Sequence, residues 1–323
     1  MTPMKVAQQP NSTTGRIIQA ATEPLAHRAA RLSLRLVDEL SPALAARAGE
    51  RLMFKTRRRP LRPAEAELLA SARRFAVASA HGPLTAWRWG SGPPVVVVHG
   101  WNGRAAQLGA FVEPLVELGY GVVAFDAPGH GASPGDVSSL VHFADAVDAV
   151  LDAVRPVLGP AHAVIAHSMG GPGTAYALSR FRRQPAIALE RGLRDLELPV
   201  ERLVFVAPPI DVRDFIRSFS KQFGLSDGFE EALRLRTEQR FGVLLEDLYT
   251  PRVARRLSAP LLIVHDADDR EVPVSRARLL ARAWSGAELV VTRGLGHYRI
   301  LSDTAVVEQV TRFVDAPRLP IAA

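Results

Sequence analysis

Short apolar runs, rich in β-branched residues, recur along the chain from about residue 75, with helical stretches between them. The runs carry no alternating polar positions, which is the pattern of strands that are buried on both faces of a sheet. They lie at 95–98, 122–125, 163–166, 203–206, 261–264 and 289–291. Buried strands separated by helices predict an α/β fold, with a mostly parallel, doubly wound sheet.

A β-hairpin is predicted at the start of this region. Residues 75–80 and 84–89 are both suited to strands, and they flank the turn sequence His81-Gly82-Pro83. Antiparallel strands joined by so short a turn pair directly with each other. We therefore expect the sheet to begin with an antiparallel pair.

The first 74 residues have a different pattern. Residues 1–15 are polar and contain proline and glycine, so we expect them to be disordered. Residues 16–54 carry apolar positions near a 3.6-residue period, broken at Pro42, and a basic linker at 57–63 precedes a short helix at 64–74. We expect residues 1–74 to form a helical extension that packs on the main domain, and a membrane-surface or partner helix is the alternative.

One interval, residues 209–258, is too long for a simple crossover helix. Within it Phe215, Phe219 and Phe223 recur every fourth residue, and Gly224 follows as a helix C-cap. This pattern predicts a small helical cap inserted into an α/β core, which consists of residues 75–208 and 259–323.

Composition and charge narrow the classes of function. The 323 residues are 47% hydrophobic and 23% charged, with a net charge of +7. All but three of the forty basic residues are arginines, spread over the chain, and the densest cluster, at 57–62, has no interleaved aromatic residues. We interpret the charge as a solvated arginine surface and do not expect nucleic-acid binding, while weak attraction to an acidic membrane surface stays open.

Two absences shape the expected compartment and chemistry. The chain has no cysteine, so it has no disulfide, thiolate metal site or cysteine nucleophile. No apolar run reaches the roughly 18 residues of a membrane span, and the first residues lack the apolar segment of a secretory signal. We therefore expect a cytoplasmic protein.

Chemically distinctive residues follow five of the predicted strands, at the end where ligands bind in open α/β sheets. In chain order the segments are HGWNG at 99–103, DAPGHGAS at 126–133, HSMGG at 167–171, HDADDREVP at 265–273 and GLGHY at 294–298. In this order and spacing the chain resembles the α/β-hydrolase superfamily over residues 75–316, in the manner of serine esterases and lipases. The resemblance assigns DAPGHGAS to architecture rather than catalysis.

The resemblance implies a catalytic triad. Ser168 is the nucleophile on a sharp strand-to-helix turn, and His297, the one histidine that follows the acid, is the base. The position three residues before Val-Pro selects Asp269 as the acid, and Asp268 and Asp211 stay open as alternatives.

The same turn needs small neighbours on both sides of the serine. Gly170 meets this need on one side. On the other side the usual glycine of the family is Ala166, a departure of one methyl group.

The resemblance also implies an oxyanion hole, formed by the backbone N–H groups of Trp101 and Met169. We expect the Trp101 indole, Asn102, Phe215 and Phe219 to line the substrate pocket. Packing of the phenylalanines between cap and core explains the same pattern equally well.

The predicted function is hydrolysis of a carboxylic ester with an apolar acyl or alcohol part, through an acyl-enzyme and without a cofactor or metal. A metal site at residues 266–269 is disfavoured because the loop lacks the spacing of a calcium loop. Thioester hydrolysis or acyl transfer, carbon–carbon bond hydrolysis, and ligand binding without catalysis stay open. The expected partner is a small-molecule ester, and no oligomeric state is indicated.

Overall fold

A computed structural model describes residues 25–183 and 200–317. The predicted disordered start, at 1–15, lies outside the described residues. Eight strands form one sheet, and they are β1 (Arg73–Val77), β2 (Leu84–Trp89), β3 (Pro94–Val98), β4 (Gly121–Phe125), β5 (Ala161–His167), β6 (Val200–Val206), β7 (Leu261–Asp266) and β8 (Ala287–Thr292).

Helices surround the sheet. They are α1 (Leu25–Leu40), α2 (Pro42–Phe54), α3 (Pro63–Ala70), α4 (Val112–Glu117), α5 (Leu140–Leu158), α6 (Gly170–Arg183), α7 (Arg213–Phe223), α8 (Asp227–Phe241), α9 (Thr250–Ala254), α10 (Val274–Ala283), α11 (Gly296–Arg299) and α12 (Thr304–Asp315), with 3₁₀ turns at Ala105–Phe111 and Leu245–Leu248.

The strand order is β1-β2-β4-β3-β5-β6-β7-β8. The pairs β1/β2 and β2/β4 are antiparallel, and every pair from β4/β3 to β7/β8 is parallel. Each of the six predicted apolar runs lies within a strand. The predicted hairpin is formed by β1 and β2, but its first strand lies at 73–77 and not at 75–80. The predicted fold, a mostly parallel doubly wound α/β sheet, is confirmed.

The apolar runs are continuous because both faces of the sheet are covered. Val96 and Val98 of β3 pack in the core that contains Phe143 of α5. Val95 and Val97 pack on the opposite face, in the core of the 3₁₀ turn, α4 and α12. A strand buried on both sides has no position for a polar residue, so the period-two alternation is lost.

The predicted helical residues 16–24 lie outside the described residues, and from residue 25 the extension follows its sequence pattern with one correction. The predicted break at Pro42 is present: α1 ends at Leu40, the Ser41 side chain caps α2, and Pro42 is the first residue of α2. The helix predicted over 64–74 was too long, because α3 ends at Ala70 and the chain enters β1 at Arg73.

The extension packs on the cap as well as on the core. The ring of Phe229 in α8 packs directly on Gly49 of α2. A Cβ atom on Gly49 would lie 2.6 Å from the nearest carbon atom of this ring. Next to it, the buried carboxylate of Glu50 pairs with Arg236 and Arg240 of α8, at 2.7 and 3.3 Å. The two segments predicted as separate additions therefore form one helical layer.

The inserted segment is helical, as its phenylalanine spacing predicts. Helix α7 ends at Gly224, whose left-handed φ of 69° closes the helix with a hydrogen bond to the carbonyl of Ser220. Phe223 is buried in the core, while Phe215 is 37% exposed. The division into domains at 209 and 258 stays a prediction. No helix in the described residues has both the length and the apolar character to cross a membrane.

Candidate active site

Ser168 lies in the turn between β5 and α6 and has a left-handed backbone, with φ at 49°. This conformation is unfavourable for a residue with a side chain, so the surroundings must hold it. The Ser168 N–H donates to the carbonyl of Val206 at 2.9 Å. A Cβ on Gly170 would lie 2.8 Å from the carbonyl oxygens of Val98 and His99, so only glycine fits there.

The loop after β3 approaches the serine closely at Gly100. A Cβ on this glycine would lie 2.8 Å from Ser168 Cβ and 3.0 Å from His167 Nδ1. The loop that carries Trp101 therefore touches the serine turn directly. Ala166, the departure from the family pattern, is fully buried in β5 and pairs in register with Val98 and Phe205.

Asp269 and His297 form a buried hydrogen-bonded pair. His297 Nδ1 lies 2.7 Å from Asp269 Oδ2, with both side chains at most 5% exposed. Asp269 Oδ1 accepts from the N–H groups of Glu271 and Val272 at 2.8 and 2.9 Å. Burial raises the pKa of Asp269, but the bonds from His297 and these N–H groups outweigh it and hold the pKa below its usual value.

This pair fixes the tautomer of the histidine. An ionised carboxylate only accepts hydrogen bonds, so Nδ1 of His297 carries the proton and Nε2 has a free lone pair. Nε2 is the atom that a general base would use.

The two alternative acids, Asp268 and Asp211, and the nearby Asp266 have different partners. Asp268 Oδ2 accepts from the Gly294 N–H at 2.9 Å, and Asp211 pairs with Arg213 at 2.8 Å. Asp266 accepts from the Thr292 hydroxyl at 2.7 Å. Asp266 and Asp268 thus fasten the β7 loop to the loop that leads to His297, and Asp269 is the one of these acids that contacts the imidazole.

The same hydrogen bonds engage the carboxylates at 266–269, the segment considered above as an alternative metal site. Within residues 25–183 and 200–317, no group of three or more His, Asp and Glu side chains is placed to hold a metal ion.

His167 joins the two loops of the site. Its Nε2 lies 2.9 Å from the carbonyl oxygen of His297, so the residue beside the serine holds the loop of the proposed base. Burial lowers the pKa of His167 to about 3, and the ring is neutral. In the described part of the chain Ser168 Oγ and His297 Nε2 share no hydrogen bond, so proton transfer between them stays a prediction.

Sequence reasoning missed two neighbours of His297. Glu271 Oε2 lies 3.8 Å from His297 Nε2 and accepts a hydrogen bond from the Tyr298 hydroxyl at 3.1 Å. Both residues stand within the quoted segments, but nothing in the spacing shows that two loops bring them together.

Two histidines of the motifs act as hydrogen-bonding supports. His99 Nε2 accepts from the Ala127 N–H at 2.9 Å, and His130 Nε2 accepts from the Asn102 N–H at 3.0 Å. Burial lowers their pKa values to about 4 and about 3. Asp126 similarly accepts from the Ala105 N–H at 2.7 Å. The DAPGHGAS segment therefore has the architectural role that the resemblance implies.

The backbone N–H groups of Trp101 and Met169 are available for a substrate. Neither donates to an acceptor among the described residues. Two other N–H groups nearby are engaged: that of Asn102 with His130 Nε2, and that of Gly171 with the carbonyl of Ser168. Two unused donors on either side of the serine match the requirement for an oxyanion hole.

A cavity of about 290 Å³ opens beside the serine turn and extends under the cap. Trp101 and Met169 line it together with Phe215 and Phe219 of α7. Further lining comes from Met53, Phe54, Ser139, Leu140, Val141, Val212, Ile216, Ser218, Gln222, Thr237, Phe241, Leu245 and Leu248. The extension thus supplies part of the wall, which sequence reasoning did not predict.

Asn102 does not line this apolar cavity. Its Oδ1 accepts from the Arg57 N–H at 2.7 Å, and this bond holds the side chain toward the extension. Asn102 lines a second, polar cavity instead of the apolar one.

Comparison with known proteins places the chain among hydrolases. A sequence profile of the alpha/beta hydrolase family matches residues 95–310. A pimeloyl-[acyl-carrier protein] methyl ester esterase of Xanthomonas campestris is 29% identical in an alignment of 258 positions, which covers 70% of this chain and 97% of the relative. A 2-hydroxy-6-oxononadienedioate hydrolase of Dechloromonas aromatica is 30% identical, over 63% and 80%. A non-heme chloroperoxidase of Kitasatospora aureofaciens is 28% identical, over 65% and 86%.

Solved structures agree on the fold. An esterase of Pyrococcus furiosus superposes with a TM-score of 0.59 at 18% identity, covering 82% of this chain and all of that chain. Est1E of Butyrivibrio proteoclasticus with bound ferulic acid gives a TM-score of 0.54 at 20% identity, covering 74% of this chain and 96% of that chain.

Proposed function

Because the chain belongs to the alpha/beta hydrolase family, we propose that it is a serine esterase that cleaves carboxylic esters through an acyl-enzyme on Ser168. The observation that carries the proposal is the buried hydrogen bond between Asp269 and His297, in a loop that His167 ties to the serine turn. If Asp269 and His297 were only a structural ion pair, the left-handed backbone of Ser168, on the turn beside them, would have no purpose.

In this proposal Ser168 Oγ attacks the ester carbonyl carbon while its proton passes to His297 Nε2. Asp269 stabilises the imidazolium that forms. The N–H groups of Trp101 and Met169 stabilise the oxyanion, and one such donor is worth about 2.7–4 kcal/mol of the barrier. His297 then protonates the departing alcohol, and water, deprotonated by the same nitrogen, hydrolyses the acyl-enzyme.

The apolar cavity under the cap is the proposed site of the acyl chain. Its lining is mostly apolar, which favours an apolar group over a polar one, and the polar lining residues are Ser139, Ser218, Gln222 and Thr237. The substrate is accordingly a small ester with an apolar acyl part, and no cofactor takes part.

The cavity hypothesis predicts how activity depends on chain length. For wild type, kcat/KM should rise from acetyl to longer acyl esters until the cavity is filled. Phe219→Ala removes a ring from the wall, so the optimum should move to longer chains; Leu235→Ala, an exposed residue on α8 outside the cavity, is the control. Equal activity on all chain lengths in all three proteins would exclude the cavity as the acyl site.

A second candidate, carbon–carbon bond hydrolysis, is supported by the 30% identical oxononadienedioate hydrolase. This reaction would use Ser168, Asp269 and His297. Thioester hydrolysis and acyl transfer would use the same three residues. Turnover of a panel of ring-cleavage products would identify carbon–carbon bond hydrolysis. Transfer products formed in the presence of added alcohols or amines would identify acyl transfer.

The direct test is a panel of short to medium acyl esters with wild type and Ser168→Ala, both shown to be folded. We expect turnover by wild type alone, and a mass increase equal to one acyl group on a peptide that contains Ser168. Full activity of Ser168→Ala would overturn the proposal.

A further inference from the structure

A second cavity, of about 340 Å³, lies outside the apolar one and is lined by arginines. Its lining includes Arg59, Arg62, Arg104, Arg299, Asn102 and Tyr298. The extension, the segment after β3 and helix α11 each contribute at least one of these guanidinium groups. Sequence reasoning interpreted the arginines as a solvated surface, and their convergence from three separate segments was not visible.

Four arginines and one carboxylate, Glu65, line this cavity, so its formal charge is positive. Arg62 pairs with Glu65 at 2.7 Å. Arg59, Arg104 and Arg299 form no ion pair with an acidic side chain of the described residues. Arg104 donates to the carbonyl of Arg59, Arg299 to that of Gly294, and the Arg59 guanidinium lies 5.6 Å from the centre of the Tyr298 ring. Three cations that face one cavity repel each other until an anion binds there.

The cavity adjoins the proposed catalytic groups. Tyr298 follows His297 directly, and its ring centre is 5.1 Å from that of the histidine. On the other wall, Asn102 follows Trp101, whose N–H is a proposed oxyanion donor. Because Trp101 lines the apolar cavity and Asn102 lines the arginine cavity, the ester carbonyl would lie between the two.

We propose that this arginine cavity binds an anionic group, a carboxylate or a phosphate, on the leaving-group side of the substrate. The inference rests on the proposed esterase function and narrows its substrate class to esters with an apolar acyl chain and an anionic alcohol. Guanidinium groups bind both anions in a planar, two-pronged geometry, so the two sources share one chemistry.

The test compares three octanoyl esters that differ only in the alcohol: 1-butanol, 4-hydroxybutanoate and 4-hydroxybutyl phosphate. The charge is three or more carbons from the ester oxygen, so the intrinsic reactivities are similar. We expect kcat/KM for at least one anionic ester to exceed that of the butyl ester by about tenfold or more, as one or two charge-assisted hydrogen bonds provide. The better of the two anionic esters identifies the anion.

Substitutions of two cavity arginines test whether this cavity causes the preference for anionic esters. In Arg59→Gln and Arg299→Gln the ratio of anionic to neutral kcat/KM should fall at least fivefold, chiefly through KM. Arg278→Gln, an exposed arginine of α10 outside the cavity, is the matched control and should keep the wild-type ratio. Equal kcat/KM for all three esters, or a preference that survives in both cavity variants, would overturn the inference while leaving the esterase function intact.

A binding measurement separates the two proposals. Calorimetry with 4-hydroxybutyl phosphate and 4-hydroxybutanoate on Ser168→Ala needs no turnover, and we expect binding that Arg59→Gln added to this variant weakens. If wild type cleaves none of the esters, the esterase proposal fails. The calorimetric binding of the two anionic alcohols then tests the anion site by itself. Absence of binding of both compounds would then overturn it.

Discussion

At the scale of single residues, the proposed role of Asp269 rests on hydrogen bonds that the neighbouring acids do not make. It orients His297 through Oδ2, and two backbone N–H groups hold Oδ1. Asp268 and Asp211, the alternatives left open by the sequence, are bonded to Gly294 and Arg213. The Val-Pro spacing therefore selected the acid that contacts the imidazole.

Asp269→Asn should lower kcat by about 10³–10⁴-fold with little change in fold, because the amide leaves His297 in the wrong tautomer and without a counter-charge. Steady-state kinetics on the best ester of the panel measures this. Asp268→Asn keeps an oxygen for the Gly294 N–H and should lose less than tenfold. A larger loss in Asp268→Asn than in Asp269→Asn would reassign the acid.

Gly100 is the second residue on which the geometry depends. In Gly100→Ala the new methyl would lie 2.8 Å from Ser168 Cβ, so the serine or the oxyanion loop must move. We expect kcat to fall at least tenfold, since shifts of several tenths of an ångström at reacting groups are costly, with a loss of about 1–3 kcal/mol in unfolding free energy.

Kinetics and urea denaturation of Gly100→Ala are compared with Gly171→Ala. The Cβ of the control would contact Phe205 and Pro208 at 3.3 Å, away from the serine. It should lose stability without a comparable loss of kcat. Wild-type kcat in Gly100→Ala would show that the loop does not position the serine.

At the scale of helices and strands, the local sequence pattern predicted an element correctly wherever that element's structure depends on its own segment alone. The continuous apolar runs identified the six buried strands, and Pro42 and Gly224 marked helix ends. The helix expected over 64–74 was too long because its last residues pair with β2, Arg73 with Arg88 among them, and such pairing is a property of the sheet.

The contact between α2 and α8 could not be read from either helix alone. It depends on Gly49 and Phe229, residues 180 positions apart, meeting across two segments. It also explains how Met53 and Phe54 come to line the apolar cavity. The extension therefore shapes the proposed substrate site.

Gly49→Val tests this contact. The added carbon atoms would overlap the buried ring of Phe229, so the helices must separate, and we expect a loss of about 1–3 kcal/mol in unfolding free energy and a changed acyl-chain optimum. Ala48→Val, at an exposed position of the same helix, controls for helix propensity. Equal stability and equal chain-length profiles in the two variants would contradict the packing.

At the scale of the whole molecule, five buried histidines link stability to pH, and burial lowers the pKa of one of them, His265, below its usual value. Burial lowers the pKa values of His99 and His142 to about 4 and those of His130 and His167 to about 3. In the unfolded chain a histidine has a pKa of about 6.5. Below that pH the unfolded chain binds protons that the folded protein does not, so the folded state loses stability on acidification.

The unfolding free energy should therefore be nearly constant above pH 7 and fall between pH 6.5 and 5.0, by up to about 1.4 kcal/mol per pH unit for each histidine. Urea denaturation at several pH values measures it. In His142→Asn, outside the proposed triad, the slope should be smaller. A stability that does not fall over this interval would contradict neutral, buried histidines.

The proposed chemistry was visible in the sequence to the extent that single segments carry it. Ser168, Asp269 and His297 each stand in a short motif at a strand end. The arginine cavity, the contact of Glu271 with His297 and the position of Asn102 were not visible, because each requires two or three distant loops to be placed together. Asn102 shows the limit, since its hydrogen bond to the Arg57 N–H turns it away from the cavity of its neighbour Trp101.

The central claim is that Ser168 is an activated nucleophile, and phosphonylation by a fluorophosphonate probe tests it most directly. Wild type, Ser168→Ala and His297→Ala, each confirmed as folded, are incubated with the probe and analysed by intact mass and peptide mapping. The account predicts one adduct on Ser168 in wild type, none in Ser168→Ala and much slower labelling in His297→Ala. A folded wild type that stays unlabelled even by a small fluorophosphonate, or an adduct on another residue, would contradict it.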